Sequence, residues 1–194
     1  MRARPAALVL LCSLTALGVA NAQAAGSTRQ VSYTAGAGVT FGNLVGGDFS
    51  GSKAAVGFDA VAGVVLGRWQ LGIGYDRTNH GHEDTDGDYV ISNVYFEPRL
   101  IISSPTRRWS PYGVLRLGRA MASYEGVLGI TDKASGYIAG IGAGVLMPIA
   151  NRIEADGAVH YARLSHDYGT GGYSAAEKGG RASVQLGVRI ATDR

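Results

Sequence analysis

Eight residues from Trp69 to Asp76 read WQLGIGYD, and they alternate between two kinds of side chain. Large apolar or aromatic residues stand at Trp69, Leu71, Ile73 and Tyr75, and polar residues or glycines stand between them. Successive side chains of a β-strand point to opposite faces of the sheet, so this alternation predicts a strand with one apolar face.

The same alternation recurs along the chain and predicts eight strands. They are Val31–Phe41, Ala54–Leu66, Trp69–Thr78, Tyr89–Ile102, Pro111–Tyr124, Gly136–Met147, Arg152–Leu164 and Arg181–Thr192. Most of these segments have about ten residues or more, which is the length of a tilted strand that crosses a bilayer.

The predicted connections alternate between long and short. The long ones are Asn43–Lys53, Asn79–Asp88, Glu125–Ser135 and Asp167–Gly180, and the shorter ones are Gly67–Arg68, Ser103–Ser110 and Pro148–Asn151. Outer-membrane barrels have short periplasmic turns and longer extracellular loops. The pattern therefore predicts an all-β fold, an eight-stranded antiparallel up-and-down transmembrane β-barrel with both ends in the periplasm.

Aromatic residues are expected to form two girdles, because amphipathic rings prefer the headgroup level of a membrane. Trp69 and Trp109 stand beside the short turns. The residues expected at the other interface are Phe41, Tyr75, Tyr89, Tyr124, Tyr137 and Tyr161. The alternative is that aromatic residues simply favour strand ends.

The first residues of the 194-residue chain resemble a cleaved secretory signal. Arg2 and Arg4 precede an apolar run over residues 6–19, and Ala20-Asn21-Ala22 has the small-x-small pattern of a cleavage site. We predict a signal peptide over residues 1–22, with cleavage after Ala24 as the alternative, and a barrel domain over residues 23–194.

Removing this leader brings the chain close to neutrality. The 18 basic and 15 acidic residues give a net charge of +3, and loss of the two leader arginines leaves 16 against 15. No nucleic-acid partner is therefore expected. The single cysteine, Cys12, lies in the leader, so the mature chain has no disulfide.

These alternating segments, together with the final strand QLGVRIAT at residues 185–192, resemble the small eight-stranded outer-membrane barrels typified by the OmpA transmembrane domain and OmpX. The resemblance implies a monomer in the cell outer membrane. It also implies contact with membrane lipid and lipopolysaccharide, and assembly by the barrel-insertion machinery.

The positions opposite the apolar ones carry most of the strand charges. The residues predicted to point into the lumen are Asp59, Glu97, Arg99, Arg116, Glu154, Asp156, His160 and Arg189. Side chains can just fill an eight-stranded barrel, and buried charges need partners. We predict an ion-pair network that plugs the interior, with Glu97 near Arg116 and Asp156 opposite Arg189; a gated polar pore is the alternative.

Three arginines share the apolar face near the extracellular ends of their strands. Arg77, Arg119 and Arg163 lie on the third, fifth and seventh strands, roughly 10 Å or more apart because two strand spacings separate neighbours. Guanidinium groups bind phosphates bidentately. We predict contact with lipopolysaccharide, and simple snorkelling to the interface is the alternative.

No metal, cofactor or catalytic residue is predicted. The loop His80–Asp88 partly resembles a calcium loop but lacks the distal glutamate, which favours a solvated acidic loop. A barrel that resembled the enzymes that remove acyl chains from lipid A would carry a His-x-Ser arrangement on one face of a strand. None of the four histidines here has serine two residues away. Ser165 and His166 are adjacent, so a strand would turn them to opposite faces.

The sequence therefore favours a structural or surface-interaction role, through adhesion or lipopolysaccharide contact. The expected loop Asp167–Gly180 has the tyrosine, serine and glycine composition of adaptable binding surfaces. The alternatives are a narrow porin-like channel for small solutes, a soluble lipocalin-like barrel with its apolar face inward, and a lipid A-modifying enzyme.

Overall fold

The computed structural model describes residues 31–47, 52–81, 88–102, 108–125, 131–170 and 173–192, and eight strands account for nearly all of them. The strands are β1 Val31–Val45, β2 Ala55–Leu66, β3 Trp69–Gly81, β4 Asp88–Ile101, β5 Ser110–Glu125, β6 Thr131–Ala150, β7 Ile153–Thr170 and β8 Tyr173–Ala191. Each strand pairs with the next in antiparallel fashion, and β8 pairs with β1 to close the barrel. The predicted fold class and strand count are confirmed, and the predicted leader lies outside the described residues.

The alternation of side chains turns the apolar face outward. Ile73 is 67% exposed and Leu186 is 56% exposed, whereas Arg99 is 1% exposed and Arg116 is 2% exposed. A protein dissolved in water hides its large apolar residues and almost never buries unpaired arginine. The lipocalin-like alternative, with the apolar face inward, is therefore wrong.

One end of the barrel carries tight turns, and we call it the turn end. Gly67–Arg68 joins β2 to β3, and Gly67 has a φ of 64°, the left-handed conformation that glycine adopts without steric cost. Asn151–Arg152 joins β6 to β7. The opposite end, which we call the loop end, carries the connections after β1, β3, β5 and β7.

Several strands continue beyond the predicted limits at the loop end. β6 begins at Thr131, β7 runs to Thr170 and β8 begins at Tyr173, so the predicted loop Asp167–Gly180 is wrong: only residues 171–172 separate the two strands. β1 and β3 also extend, to Val45 and Gly81. Antiparallel pairing continues in these segments, and Leu44 and His166 within them are buried.

The aromatic residues follow the expected girdles with one exception. Trp69 and Trp109 are about half exposed beside the turn end, and Phe41, Tyr137 and Tyr161 are exposed toward the loop end. Tyr75 is also on the outer face, 5.8 Å from the ring of Phe58 between centroids. The side chain of Tyr124 lies outside the described residues.

Tyr89 does not belong to the outer girdle. It packs against the buried cluster that contains Ile91 and Tyr95, on the inner face of β4. The prediction failed because Tyr89 was assigned from its position at a strand end, whereas its place in the alternation puts it on the same face as Glu97.

Within the described part of the chain, no helix has the length and apolar character needed to cross a membrane.

Candidate functional site in the barrel interior and at its rim

One carboxylate near the middle of the barrel binds two arginines. β4 places Glu97 and Arg99 on its inner face, and β5 places Arg116 there. Arg99 Nε donates to Glu97 Oε1 at 2.6 Å, and Arg116 Nε donates to Glu97 Oε2 at 2.6 Å. Charge-assisted hydrogen bonds of this length are the strong ones.

A second carboxylate holds together the polar side chains in the turn-end half of the interior. Asp156 on β7 accepts from Arg99 Nη1 at 2.7 Å, from Arg189 Nη2 at 3.1 Å and from the Tyr112 hydroxyl at 2.5 Å. Arg189 Nη1 also donates to Gln70 Oε1 at 2.9 Å. Arg99 thus bridges the carboxylates of Glu97 and Asp156.

A third carboxylate holds together the polar side chains in the loop-end half of the interior. Arg181 binds Asp76 bidentately, with Nη1 to Oδ1 and Nη2 to Oδ2 both at 2.8 Å. Asn93 Nδ2 donates to Asp76 Oδ1 at 2.6 Å, and Arg116 Nη1 lies 4.0 Å from Asp76 Oδ2. Arg116 therefore connects the loop-end group to the central one.

Gln185 carries the network across to β2. It accepts from Arg116 Nη2 at 2.7 Å and donates from Nε2 to Asp59 Oδ2 at 2.5 Å. Thr40 Oγ1 donates to Asp59 Oδ1 at 3.3 Å. The polar groups thus form one connected network across the lumen.

Two tyrosines fill the space that the charged groups leave. The guanidinium carbon of Arg116 lies 4.6 Å from the ring centroid of Tyr95, and that of Arg99 lies 4.5 Å from the ring centroid of Tyr112. These are cation–π distances. The Tyr95 ring occupies the place where a Cβ on Gly74 would stand.

The structure brings most of the sequence-predicted lumen residues together. Glu97, Arg99, Arg116, Asp156 and Arg189 share direct ion pairs. Asp59 joins through Gln185, and Glu154 and His160 are buried on the inner face of β7.

The expected position of Asp156 opposite Arg189 is wrong. The register pairs Arg189 with Glu154, and Asp156 with Gly187. Asp156 still reaches Arg189 because the two side chains lie on the same inner face, and Asp156 is only two residues from Glu154, the register partner of Arg189.

Sequence reasoning missed eight members of the network. They are Thr40, Gln70, Asp76, Asn93, Tyr95, Tyr112, Arg181 and Gln185. All of them occupy inward positions of the same alternation, so that signal was available for each. Only Arg181 was harder to place, because it stood at the first residue of a predicted strand.

The three predicted rim arginines lie on the outer surface toward the loop end. Arg77, Arg119 and Arg163 are exposed. On each strand the arginine comes two residues after another outward-facing side chain, which is Tyr75 on β3, Leu117 on β5 and Tyr161 on β7. Arg119 Nη2 lies 3.4 Å from Ser135 Oγ.

The histidines of the described residues lie inside. His80 lies in β3 rather than in the predicted loop, with Nε2 3.1 Å from Thr78 Oγ1 and Nδ1 3.2 Å from the Lys53 carbonyl oxygen. His166 lies beyond Arg163 on β7, and burial lowers its pKa to about 4. Most of the predicted acidic loop, residues 82–87, lies outside the described residues. Elsewhere, the described residues contain no group of three or more His, Cys, Asp or Glu that could hold a metal ion.

Comparisons with known proteins identify similar chains. A family model described as outer membrane protein beta-barrel domain matches residues 9–190. No curated protein matches the sequence.

Among solved structures, Neisserial surface protein A is 16% identical with a TM-score of 0.61, over 82% of this chain and 96% of its own. The attachment invasion locus protein Ail of Yersinia pestis, in complex with the heparin analogue sucrose octasulfate, is 18% identical with a TM-score of 0.55, over 84% and 99%. The outer membrane protein AlkL, solved in lipid bilayers, is 16% identical with a TM-score of 0.56, over 90% and 95%. At such identities the likeness shows the fold alone.

Proposed function

Because this chain belongs to the outer membrane protein beta-barrel domain family and resides in the cell outer membrane, we propose that it acts through its outer surface and not through its lumen. In this proposal the barrel is a closed anchor. Its loop-end surface contacts lipopolysaccharide and other partners at the cell surface.

The observation that carries the proposal is the contrast between the arginines inside the barrel and those outside. Arg99, Arg116, Arg181 and Arg189 are all buried and hydrogen-bonded to carboxylate or amide oxygens. The outer Arg77, Arg119 and Arg163 are exposed. Of these two sets, the outer one is accessible to an additional anion.

The filled interior argues against the porin-like alternative. Side chains from seven of the eight strands meet in one hydrogen-bonded network, and the rings of Tyr95 and Tyr112 pack against it. A solute could pass only after several short charge-assisted hydrogen bonds had broken, each of which is costly to lose in a buried site.

The rim arginines suit the phosphates of lipopolysaccharide. They lie at the loop end of an apolar wall, where phosphates flank the acyl chains of the outer leaflet, and guanidinium forks bind phosphate bidentately. Ail, a barrel of this fold, was solved with a polyanionic heparin analogue. That complex supports anion recognition on such a scaffold.

The β7–β8 hairpin is the proposed contact for a protein or glycan partner. Its ladder continues to Thr170 and Tyr173, past the last pairing of β7 with β6 at Asp167 and the last pairing of β8 with β1 at Gly180. The hairpin therefore projects beyond the closed part of the barrel.

We also propose that the chain is not an enzyme. His80 contacts the hydroxyl of Thr78, and both residues are completely buried inside the barrel. A lipid substrate on the outer face has no access to that pair. Ser165 and His166 occupy adjacent positions on β7, which turn to opposite faces.

The test replaces Arg77, Arg119 and Arg163 together with glutamine and measures how much lipopolysaccharide comigrates with the folded barrel on native gels. The matched control replaces three exposed arginines near the turn end with glutamine, so that its net charge equals that of the rim variant. These arginines are Arg68, Arg108 and Arg152. We expect the rim variant to lose most of its lipopolysaccharide and the control to retain it. Equal retention by both variants would contradict the proposal.

A further inference from the structure

A groove of about 490 Å³ crosses the outer surface of the barrel where β7, β8, β1 and β2 lie side by side. The register aligns four apolar residues across these strands: Val159, Val184, Phe41 and Val56. Ala182 on β8 forms the floor one step nearer the loop end. The lining is mainly apolar and faces the membrane, so a hydrocarbon chain suits it.

The loop end of the groove carries polar donors. Arg163 on β7 pairs with Gly180 on β8, and the Tyr161 hydroxyl lies 2.7 Å from where a Cβ on Gly180 would stand. The phenol therefore leans across β8 at the level of Arg163. Asn43, beside Ala182, contributes an amide on the other wall.

We propose that this groove holds one acyl chain of lipid A, with a lipid A phosphate bound by Arg163 and Tyr161. The inference rests on the proposed lipopolysaccharide contact and assigns it to one place on the barrel wall. Two features select lipid A. The groove opens at the extracellular end of the barrel, where the outer leaflet lies, and a guanidinium next to an apolar trough matches a phosphate next to an acyl chain.

The glycine at position 180 sets the geometry of the mouth. A side chain there would meet the Tyr161 ring, since the added Cβ would lie 3.0 Å from two of its ring carbons. Ala182 sets the depth of the groove, because a larger residue there would fill the space between its register partners, Tyr161 on β7 and Asn43 on β1.

The experiment measures lipid binding by native mass spectrometry of the full-length folded protein in detergent. The probes are hexa-acylated lipid A with two phosphates, the same lipid A without phosphates, and phosphatidylglycerol. The variants are Ala182→Phe, Arg163→Gln and, as matched control, Ala62→Phe. Ala62 is also exposed on the outer face but pairs with Ala35, away from the groove.

We expect Ala182→Phe to weaken lipid A binding by about tenfold or more, roughly the change that loss of 1.4 kcal/mol produces. Ala62→Phe should bind as the parent does. Arg163→Gln should weaken binding of the phosphorylated lipid A and leave the dephosphorylated form unaffected. If Ala182→Phe fails to fold on a heat-modifiability gel, Ala182→Leu takes its place.

Unchanged binding by the folded groove variant would overturn the inference, and so would phosphatidylglycerol that binds as tightly as lipid A. If the rim variant loses lipopolysaccharide while Ala182→Phe retains lipid A, the groove fails and the proposed function stands. If both variants retain their lipid, the proposed function fails as well.

Discussion

Replacing Glu97 with glutamine removes the charge that two buried arginines share. Glu97 is 1% exposed and accepts hydrogen bonds of 2.6 Å from both Arg99 and Arg116. Removing one partner of a buried ion pair typically costs about 3–5 kcal/mol, because a charge is left without compensation in a poorly solvated site.

The expected loss for Glu97→Gln lies at the lower end of that range, about 3 kcal/mol. Arg99 keeps Asp156 at 2.7 Å, Arg116 keeps Gln185 at 2.7 Å, and the new amide oxygen can still accept one hydrogen bond. Adding Arg116→Met to Glu97→Gln should cost less than the sum of the single losses, because both variants remove the same interaction.

The assay is denaturant unfolding of the barrel in lipid vesicles, followed by the fluorescence of Trp69 and Trp109, which are exposed beside the turn end. The control is Asp167→Asn, which neutralises an exposed carboxylate on β7 and should change the free energy of unfolding by less than about 0.5 kcal/mol. A loss below about 1 kcal/mol for Glu97→Gln, or additive losses in the double variant, would refute the inference of a tightly coupled network.

Two further changes probe the packing and the loop end. Gly74→Leu should prevent the barrel from folding, because the added Cβ would overlap the Tyr95 ring. Gly113→Leu is the control and should fold normally, because a Cβ there has no heavy atom within 4 Å. A heat-modifiability gel distinguishes the folded from the unfolded variant. Burial holds the pKa of folded His166 at about 4 against an ordinary 6.5, so the unfolded chain takes up its proton first as the pH falls from about 7 to 4, and this lowers stability across that window. His166→Gln should show a smaller loss over the same window, and identical pH profiles would count against a buried neutral imidazole.

The alternation of side chains was sufficient to predict the strands and their faces. The residues from Trp69 to Asp76 already separate an apolar outer face from a polar inner one. Counting outward from the β4–β5 connection also placed Glu97 near Arg116, because neighbouring strands fix that distance.

Contacts across the lumen could not be predicted in the same way. Arg181 and Asp76 are 105 residues apart and lie on β8 and β3, which are not neighbours. Their meeting depends on the stagger of the closed barrel and on the reach of the arginine side chain, which no spacing in the sequence specifies. The β7–β8 hairpin was missed for another reason. Its sequence is rich in glycine, which is typical of a loop, but its backbone still forms a regular antiparallel ladder.

The most direct test of a closed barrel that works through its outer surface is a planar-bilayer recording of the purified, folded protein at neutral pH. The paired charges and the rings of Tyr95 and Tyr112 predict a trace that does not differ from the bare bilayer. Stable, long-lived conductance steps that grow with salt concentration would contradict the account.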